Sequence, residues 1–537
     1  MLRHGSLPRS ARARLRRPRA IRPRAMVALV AAIAGIGVLS GGVGDAALPT
    51  ASLPPFGVTA GNGSLSTVAE LGDINGDGIG DYAVGLPSAD VAGSADAGIV
   101  YVFLGTPGSL PPTPASLDLG AASFTISGHA GEMLGYAIVG DDVNGDGLAD
   151  IAIGAPMAGA PSKSGGGAVY VVFGSKHPTS ISTTALSFAG YTNDPTSPAT
   201  PSPLGSRYDG FQQNSHTGMS LAALPDVNRD GYNDIAVGAP DADLHRPGGG
   251  GVAVLYGKPQ GVHITLNDLW QNGYPYFMHV DYPALDNQHV GMSIASVGDM
   301  MGNGGWDIAI GAPQADPGGR TNAGSVWIIN AHLPPVTGCL KPNVDASCPW
   351  IKLRSLSAAQ GYRIDGAAAG DQLGTSLAGI GDQNGDRIPD LAIGEAGASP
   401  LGRAHAGAVV VVPGQTNSVT RDLAVTAPLQ AVDGAQAGGG LGASLAAAGD
   451  RNGDGRGDML VGAPGESSSA GAAYLVSGAP GTSDLALAAA KIAPAAAGSM
   501  TGSAVAAGSA LDGAGADAVV AAPGSGGSGA WFVVGGS

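Results

Sequence analysis

Apolar positions along the chain come in short runs of five to eight residues separated by glycine-rich polar stretches, with no sustained helical period. Alternating segments such as "GIVYVFLG" (98–105), "GAVYVVFG" (167–174), "GSVWIIN" (324–330), "GAVVVVPG" (407–414) and "GAWFVVGG" (529–536) read as strands. Continuously apolar runs such as "DIAIGAP" precede them and read as strands buried on both faces. Ahead of each lies a small-residue strand such as "GMSIASVGD" (291–299), and behind it a weaker fourth strand such as "SFTISG" (123–128).

This four-strand order recurs, and an acidic loop marks every turn between the first two strands. The loops are "DINGDGIGD" (73–81), "DVNGDGLAD" (142–150), "DVNRDGYND" (226–234), "DMMGNGGWD" (299–307), "DQNGDRIPD" (382–390), "DRNGDGRGD" (450–458) and a worn "SALDGAGAD" (509–517). Their first positions stand 69, 84, 73, 83, 68 and 59 residues apart. Repetition on this scale indicates stacked or radial units. Seven units of four strands predict an all-β fold, a seven-bladed β-propeller of four-stranded blades. The last unit stops after its third strand, and "PFGVTAGNG" (55–63) resembles a fourth strand. The ring is therefore expected to close by an N-terminal strand completing the last blade, which leaves no open edge.

Composition narrows the picture. Of 537 residues 91 are glycine, and only 13% are charged. The first 46 residues stand apart: nine arginines between Arg3 and Arg24, the apolar run "MVALVAAIAGIGVL" (26–39), then small residues to Ala46. This is the pattern of a secretory signal cut near Ala46; the apolar run is short for an uncleaved membrane anchor. Residues 47–537 then form the propeller, with 17 basic against 41 acidic residues, a formal charge of −24. Such a chain should attract cations and not nucleic acid, whose phosphates need basic partners. No second membrane span is visible, and a monomer, secreted or associated with the cell surface, is expected. Cys339 and Cys348, close together in an exported chain, suggest a disulfide closing the small loop 339–348.

Acidic side chains at loop positions 1, 5 and 9, an oxygen at 3, a backbone carbonyl at 7 and a turn glycine at 6 can surround one hard cation. Calcium, which accepts six to eight oxygens in flexible geometry, suits that set better than magnesium. The loops are not EF-hands, since position 12 is apolar and no helices flank them. The expected ligands are Asp73, Asn75, Asp77, Ile79 and Asp81; Asp142, Asn144, Asp146, Leu148 and Asp150; and Asp226, Asn228, Asp230, Tyr232 and Asp234. Asp450, Asn452, Asp454, Arg456 and Asp458 form a fourth intact set. Asp382, Asn384, Asp386, Ile388 and Asp390 keep their oxygens, but Arg387 replaces the glycine and should weaken or distort that site. The loop at 299–307, with Met301 at position 3, is expected to bind nothing. About four to five Ca²⁺ ions follow, in a structural role.

The repeated "D-x-N-x-D-G-x-x-D-I-A-I-G-A-P" resembles the FG-GAP repeat of the integrin α-subunit propeller, over roughly residues 53–537. The resemblance implies calcium in hairpin loops on one face. It implies ligand contact on the other, through loops between strands 2 and 3 and between strand 4 and the next strand 1. Adhesion or recognition of an extracellular protein or glycan is the function it implies. Integrin leg, transmembrane and cytoplasmic regions have no counterpart here.

The alternative is an extracellular hydrolase or lyase acting on glycans or phospholipid anchors through the propeller funnel. The sequence leans against catalysis. Asp209, Glu132, Asp371, Glu395 and Glu466 read as scattered over different blades, and His129, His216 and His289 as loop residues ahead of first strands. The "RGD" at Arg456–Asp458 is discounted because Asp458 is the ninth position of an acidic loop. Two connections run long. Residues 190–214 are rich in Pro, Ser and Thr; residues 258–289 carry Trp270, Tyr274, Tyr276, Phe277 and Tyr282, which read either as a ligand-binding cluster or as a small core under the loop.

Overall fold

The computed structural model describes residues 52–53, 67–106, 119–159, 165–186, 202–243, 247–266, 277–281, 288–332, 350–485, 491–494, 498–508, 517–523 and 530–534. Almost every element is a strand, gathered into six five-stranded sheets and one three-stranded sheet. The second blade shows the plan. Strands Ile138–Asp141, Asp150–Ala155, Ala168–Val172 and Gly205–Asp209 form an antiparallel meander. A fifth strand, His263–Thr265, then joins Gly205–Asp209 in parallel.

That fifth strand overturns the expectation of seven four-stranded blades. It belongs to the connection between the third and fourth strands of the following blade, which reaches back to extend the outer edge of its predecessor. Ile181–Ser182 does this for the first blade, Trp350–Lys352 for the third, Arg421–Asp422 for the fourth and Gly481–Asp484 for the fifth. The segment expected to close the ring, 55–63, lies outside the described residues; the described N-terminal strand Ser52–Leu53 pairs with Ala493 and Pro494 of the sixth blade. That last sheet, Val505–Gly508, Asp517–Ala522 and Ala530–Val534, has three strands among the described residues. The propeller therefore has six blades of five strands and a smaller terminal sheet.

Apolar clusters lie between consecutive sheets. Tyr170 and Ile153 of the second blade pack with Leu71 and Val100 of the first, and Val519 and Ala521 of the terminal sheet pack with Val84 of the first. Second strands such as Asp150–Ala155 are buried at every position because sheets cover both faces. The glycine of each "GAP" follows from this packing: a Cβ on Gly154 would stand 1.9 Å from the carbonyl oxygen of Gly218 in the next blade. Gly462 meets Gly502 in the same way. Only glycine lets two backbones approach so closely.

The two long connections are partly ordered as blade strands: Gly205–Asp209 lies within 190–214, and Phe277–Asp281 forms the fourth strand of the third blade.

Candidate metal loops and ligand face

Each acidic loop is a tight turn organised by its first aspartate. Asp73 Oδ1 accepts the backbone N–H groups of Gly76 at 2.6 Å and Asp77 at 3.1 Å, and its Oδ2 accepts that of Gly78 at 2.7 Å. Asp77 Oδ1 accepts the Ile79 N–H at 2.9 Å, and Asn75 Oδ1 that of Asp77 at 2.8 Å. The loops at 142–150, 226–234 and 450–458 repeat the bond from position 6 to the first aspartate at 2.7–2.9 Å. Glycine at position 6 supplies the left-handed backbone, with φ of 83° at Gly78 and 85° at Gly147. Arg387 takes the same conformation, φ 71°, and still donates to Asp382 at 2.7 Å. The turn there keeps its hydrogen bond, with the extra strain of a side chain in the left-handed region.

The ninth position does different work. Asp150 is buried; its Oδ2 accepts the Val143 N–H at 3.1 Å and its Oδ1 the Gly174 N–H at 2.8 Å. It thereby joins the loop to the end of the third strand. Burial pushes its carboxyl up to about 7; the two N–H bonds oppose this, and the neighbouring charges of Asp146 and Asp142 add to it. Asp234 is likewise pushed to about 7, and Asp81 and Asp390 to about 6. The loop at 299–307 shows what is local. Met301 is buried in the core, Asp307 is pushed to about 7 by burial, and the Ala331 N–H goes to the Trp306 carbonyl. Asp307 Oδ1 is left buried without a hydrogen-bond partner among the described residues.

Among the described residues no three His, Cys, Asp or Glu side chains converge as a metal cage. The loop carboxylates turn to backbone N–H groups, and each oxygen has further lone-pair capacity. In donor type the intact loops suit a hard cation: three carboxylates crowd each turn, and the ninth is desolvated beside two like charges.

At the opposite ends of the strands, the side chains singled out in the sequence are mostly engaged with one another. His216 and His289, ahead of the first strands of the third and fourth blades, both reach Asp241, each Nδ1 at 2.6 Å from a different carboxylate oxygen. The hydrogen bond from His289 holds Asp241 below its ordinary range; burial opposes that and His216 adds to it. Tyr170 donates to Glu132 at 2.8 Å, and His129 Nδ1 lies 3.2 Å from the same carboxylate. Asp209 sits between Arg207 at 2.8 Å and His263 at 2.9 Å. Glu466 accepts from Tyr474 at 2.8 Å and pairs with Lys491 at 2.6 Å.

Asp371 and Glu395 are not scattered. Both serve the fifth blade, where burial, then Asp371, then Asp433 push the Glu395 carboxyl up to about 8. Glu395 Oε1 is buried without a hydrogen-bond partner among the described residues. Asp458 of the "RGD" tripeptide is buried and holds the N–H groups of Arg451 at 2.8 Å and Gly478 at 3.1 Å. Sequence reading passed over Asp241 and the two tyrosines. Glu132 lies 38 residues from Tyr170 and Glu466 only 8 from Tyr474, so no common spacing in the sequence marks these pairs. Trp270, Tyr274, Tyr276, Tyr282, Cys339, Cys348 and residues 1–46 lie outside the described residues; Phe277 heads a strand.

Fold and loops together define an all-β propeller with acidic hairpin turns. Residues 134–172, 217–255 and 441–476 match the FG-GAP repeat. The chain is 32% identical over 193 residues to integrin alpha-PS5 of Drosophila melanogaster, covering 35% of this chain and 15% of that protein. It is 34% identical over 191 residues to phosphatidylinositol-glycan-specific phospholipase D of Homo sapiens, covering 35% and 20%. With integrin alpha-5 of Xenopus laevis the identity is 27% over 252 residues, covering 46% and 19%. The aligned part spans a fifth or less of each relative's length. The chain is thus a β-propeller that carries FG-GAP repeats and resembles integrin α chains in this region. Among the described residues no helix is long and apolar enough to cross a membrane.

Proposed function

We propose that this propeller is an exported, calcium-binding recognition module that contacts an extracellular protein or glycan. The observation that carries the reading is the repeated ninth-position aspartate, desolvated beside two like charges, in loops whose donors suit calcium. Likeness to integrin α chains supports recognition as the task, and the arginine-rich leader supports export. Calcium would be held by positions 1, 3, 5, 7 and 9 and would neutralise the turns. The test is binding of the chain after residue 46 to arrayed extracellular-matrix proteins and glycans, in calcium and in EGTA. Saturable binding to one class supports the reading; no binding above that of an unrelated acidic protein overturns it.

A second reading, hydrolysis of a glycan or phospholipid anchor, draws on Glu395, a carboxyl held protonated beside Asp371. It requires turnover of such a substrate that Glu395→Gln abolishes.

A further inference from the structure

The fourth blade's loop 299–307 has Met301 and Asn303 in place of the donors at positions 3 and 5, and at that end of the fold lies an open pocket of about 370 Å³. This is within the range of small-ligand sites, about 300–1,000 Å³. Three blades build it. The third contributes Arg229, the fourth Asn303, Asn330 and His332, and the fifth Thr416 and Ser418. Among the described residues no carboxylate lines it, in a chain with 42 acidic and 26 basic residues.

Arg229 is the unusual member. It holds loop position 4, where the other loops at 73–81, 142–150, 299–307, 382–390 and 450–458 have Gly76, Gly145, Gly302, Gly385 and Gly453. All of these adopt left-handed backbone, φ between 59° and 82°, and so does Arg229 at 63°. A side chain there is strained where glycine would be at ease. The strain has no structural return: Arg229 is exposed, and its guanidinium forms no hydrogen bond or ion pair with the described residues. The neighbouring Asp230 faces Lys258 instead, at 3.8 Å.

The other lining groups specify what would accompany an anion. His332 Nδ1 lies 2.9 Å from the Val227 carbonyl, so that nitrogen carries a proton. In the neutral ring Nε2 is then an acceptor, able to take a ligand donor. Asn303 Oδ1 accepts the Gly305 N–H at 2.8 Å, which leaves its amide N–H groups to donate. Thr416 and Ser418 offer hydroxyls. One cation, several neutral donors and one acceptor match a carboxylate carried on a hydroxylated frame.

We propose that this pocket binds a sugar acid, with the Arg229 guanidinium on its carboxylate and Asn303, His332, Thr416 and Ser418 on its hydroxyls. The site goes beyond the recognition reading above: Arg229 belongs to the acidic loop 226–234, but that turn is closed by its own N–H bonds to Asp226, and the sugar acid's carboxylate would meet the guanidinium directly.

Titration of the chain after residue 46 with D-glucuronate and D-galacturonate, followed by saturation-transfer NMR and calorimetry, tests it. Methyl glucoside and inorganic sulfate serve as comparison probes. Runs in EGTA, at a temperature where the calcium-free chain stays folded, separate this site from any calcium-bridged contact. One of the two uronates should bind saturably, at least tenfold more tightly than methyl glucoside or sulfate, and in EGTA as well. Arg229→Gly should weaken it at least tenfold while leaving the thermal midpoint equal or higher, because it restores the residue of the other loops. Asn303→Ala should weaken it a fewfold. Equal affinity for sulfate or methyl glucoside, undiminished uronate binding by Arg229→Gly, loss of binding in EGTA, or no uronate binding at millimolar concentration would each overturn the proposal.

Discussion

The carboxylate of Asp81 accepts the backbone N–H of Gly105 at 2.7 Å, which fastens the end of an acidic loop to the end of the third strand. Asp150 and Gly174, Asp234 and Gly257, Asp390 and Gly414, and Asp458 and Gly478 repeat the contact at 2.8–3.1 Å. The ninth position is thus part of the blade before any cation is considered. Positions 1 and 5 organise only the turn.

From this follows a separation of roles within one loop. Asp150→Ala leaves the Val143 and Gly174 N–H groups without their acceptor. Each unsatisfied buried donor costs about 1–3 kcal/mol, so for the two a loss of roughly 2–6 kcal/mol is expected in EGTA. Asp146→Ala, at an exposed turn position, should cost under about 1 kcal/mol under the same conditions. Urea unfolding of both variants distinguishes them, and equal losses would show that the ninth position has no special structural part.

Glu395 supplies a pH signature. Its folded-state value of about 8 lies above the ordinary glutamate value, so the folded chain holds a proton that the unfolded chain releases. Its contribution is fully present below about pH 4.5 and is lost as pH rises through about 8. Within that window each pH unit changes stability by about 1.4 kcal/mol at most. Glu395→Gln keeps the shape without the proton equilibrium. Its thermal midpoint should fall less steeply between pH 5 and 8 than that of the parent and exceed it at pH 8. Parallel pH profiles would refute the assignment.

Much of this architecture was legible in the chain. Second strands such as "DIAIGA" announce burial on both faces, and the loops announce their hairpins. The fifth strands were not legible. Ile181–Ser182 and Arg421–Asp422 are two residues long and pair in parallel with distant partners, so no alternation marks them. The same holds for Ser52–Leu53, whose partner lies at the far end of the chain. Side-chain groupings such as His216, Asp241 and His289 depend on which blades are neighbours. Glu395 stands where the second blade has Ala155, a departure visible in the sequence whose meaning came from Asp371 and Asp433 beside it.

The central claim is that calcium neutralises the acidic turns. The most direct measurement is thermal unfolding of residues 47–537 in EGTA and then in added Ca²⁺, with bound calcium counted on the same sample. An ion held only by the folded chain raises the midpoint by mass action. About four to five bound ions and a calcium-dependent rise in midpoint are expected, since four loops keep the full pattern and 382–390 keeps its oxygens. No bound calcium and an unchanged midpoint would contradict the account and leave the loops as turns closed by their own backbone N–H groups.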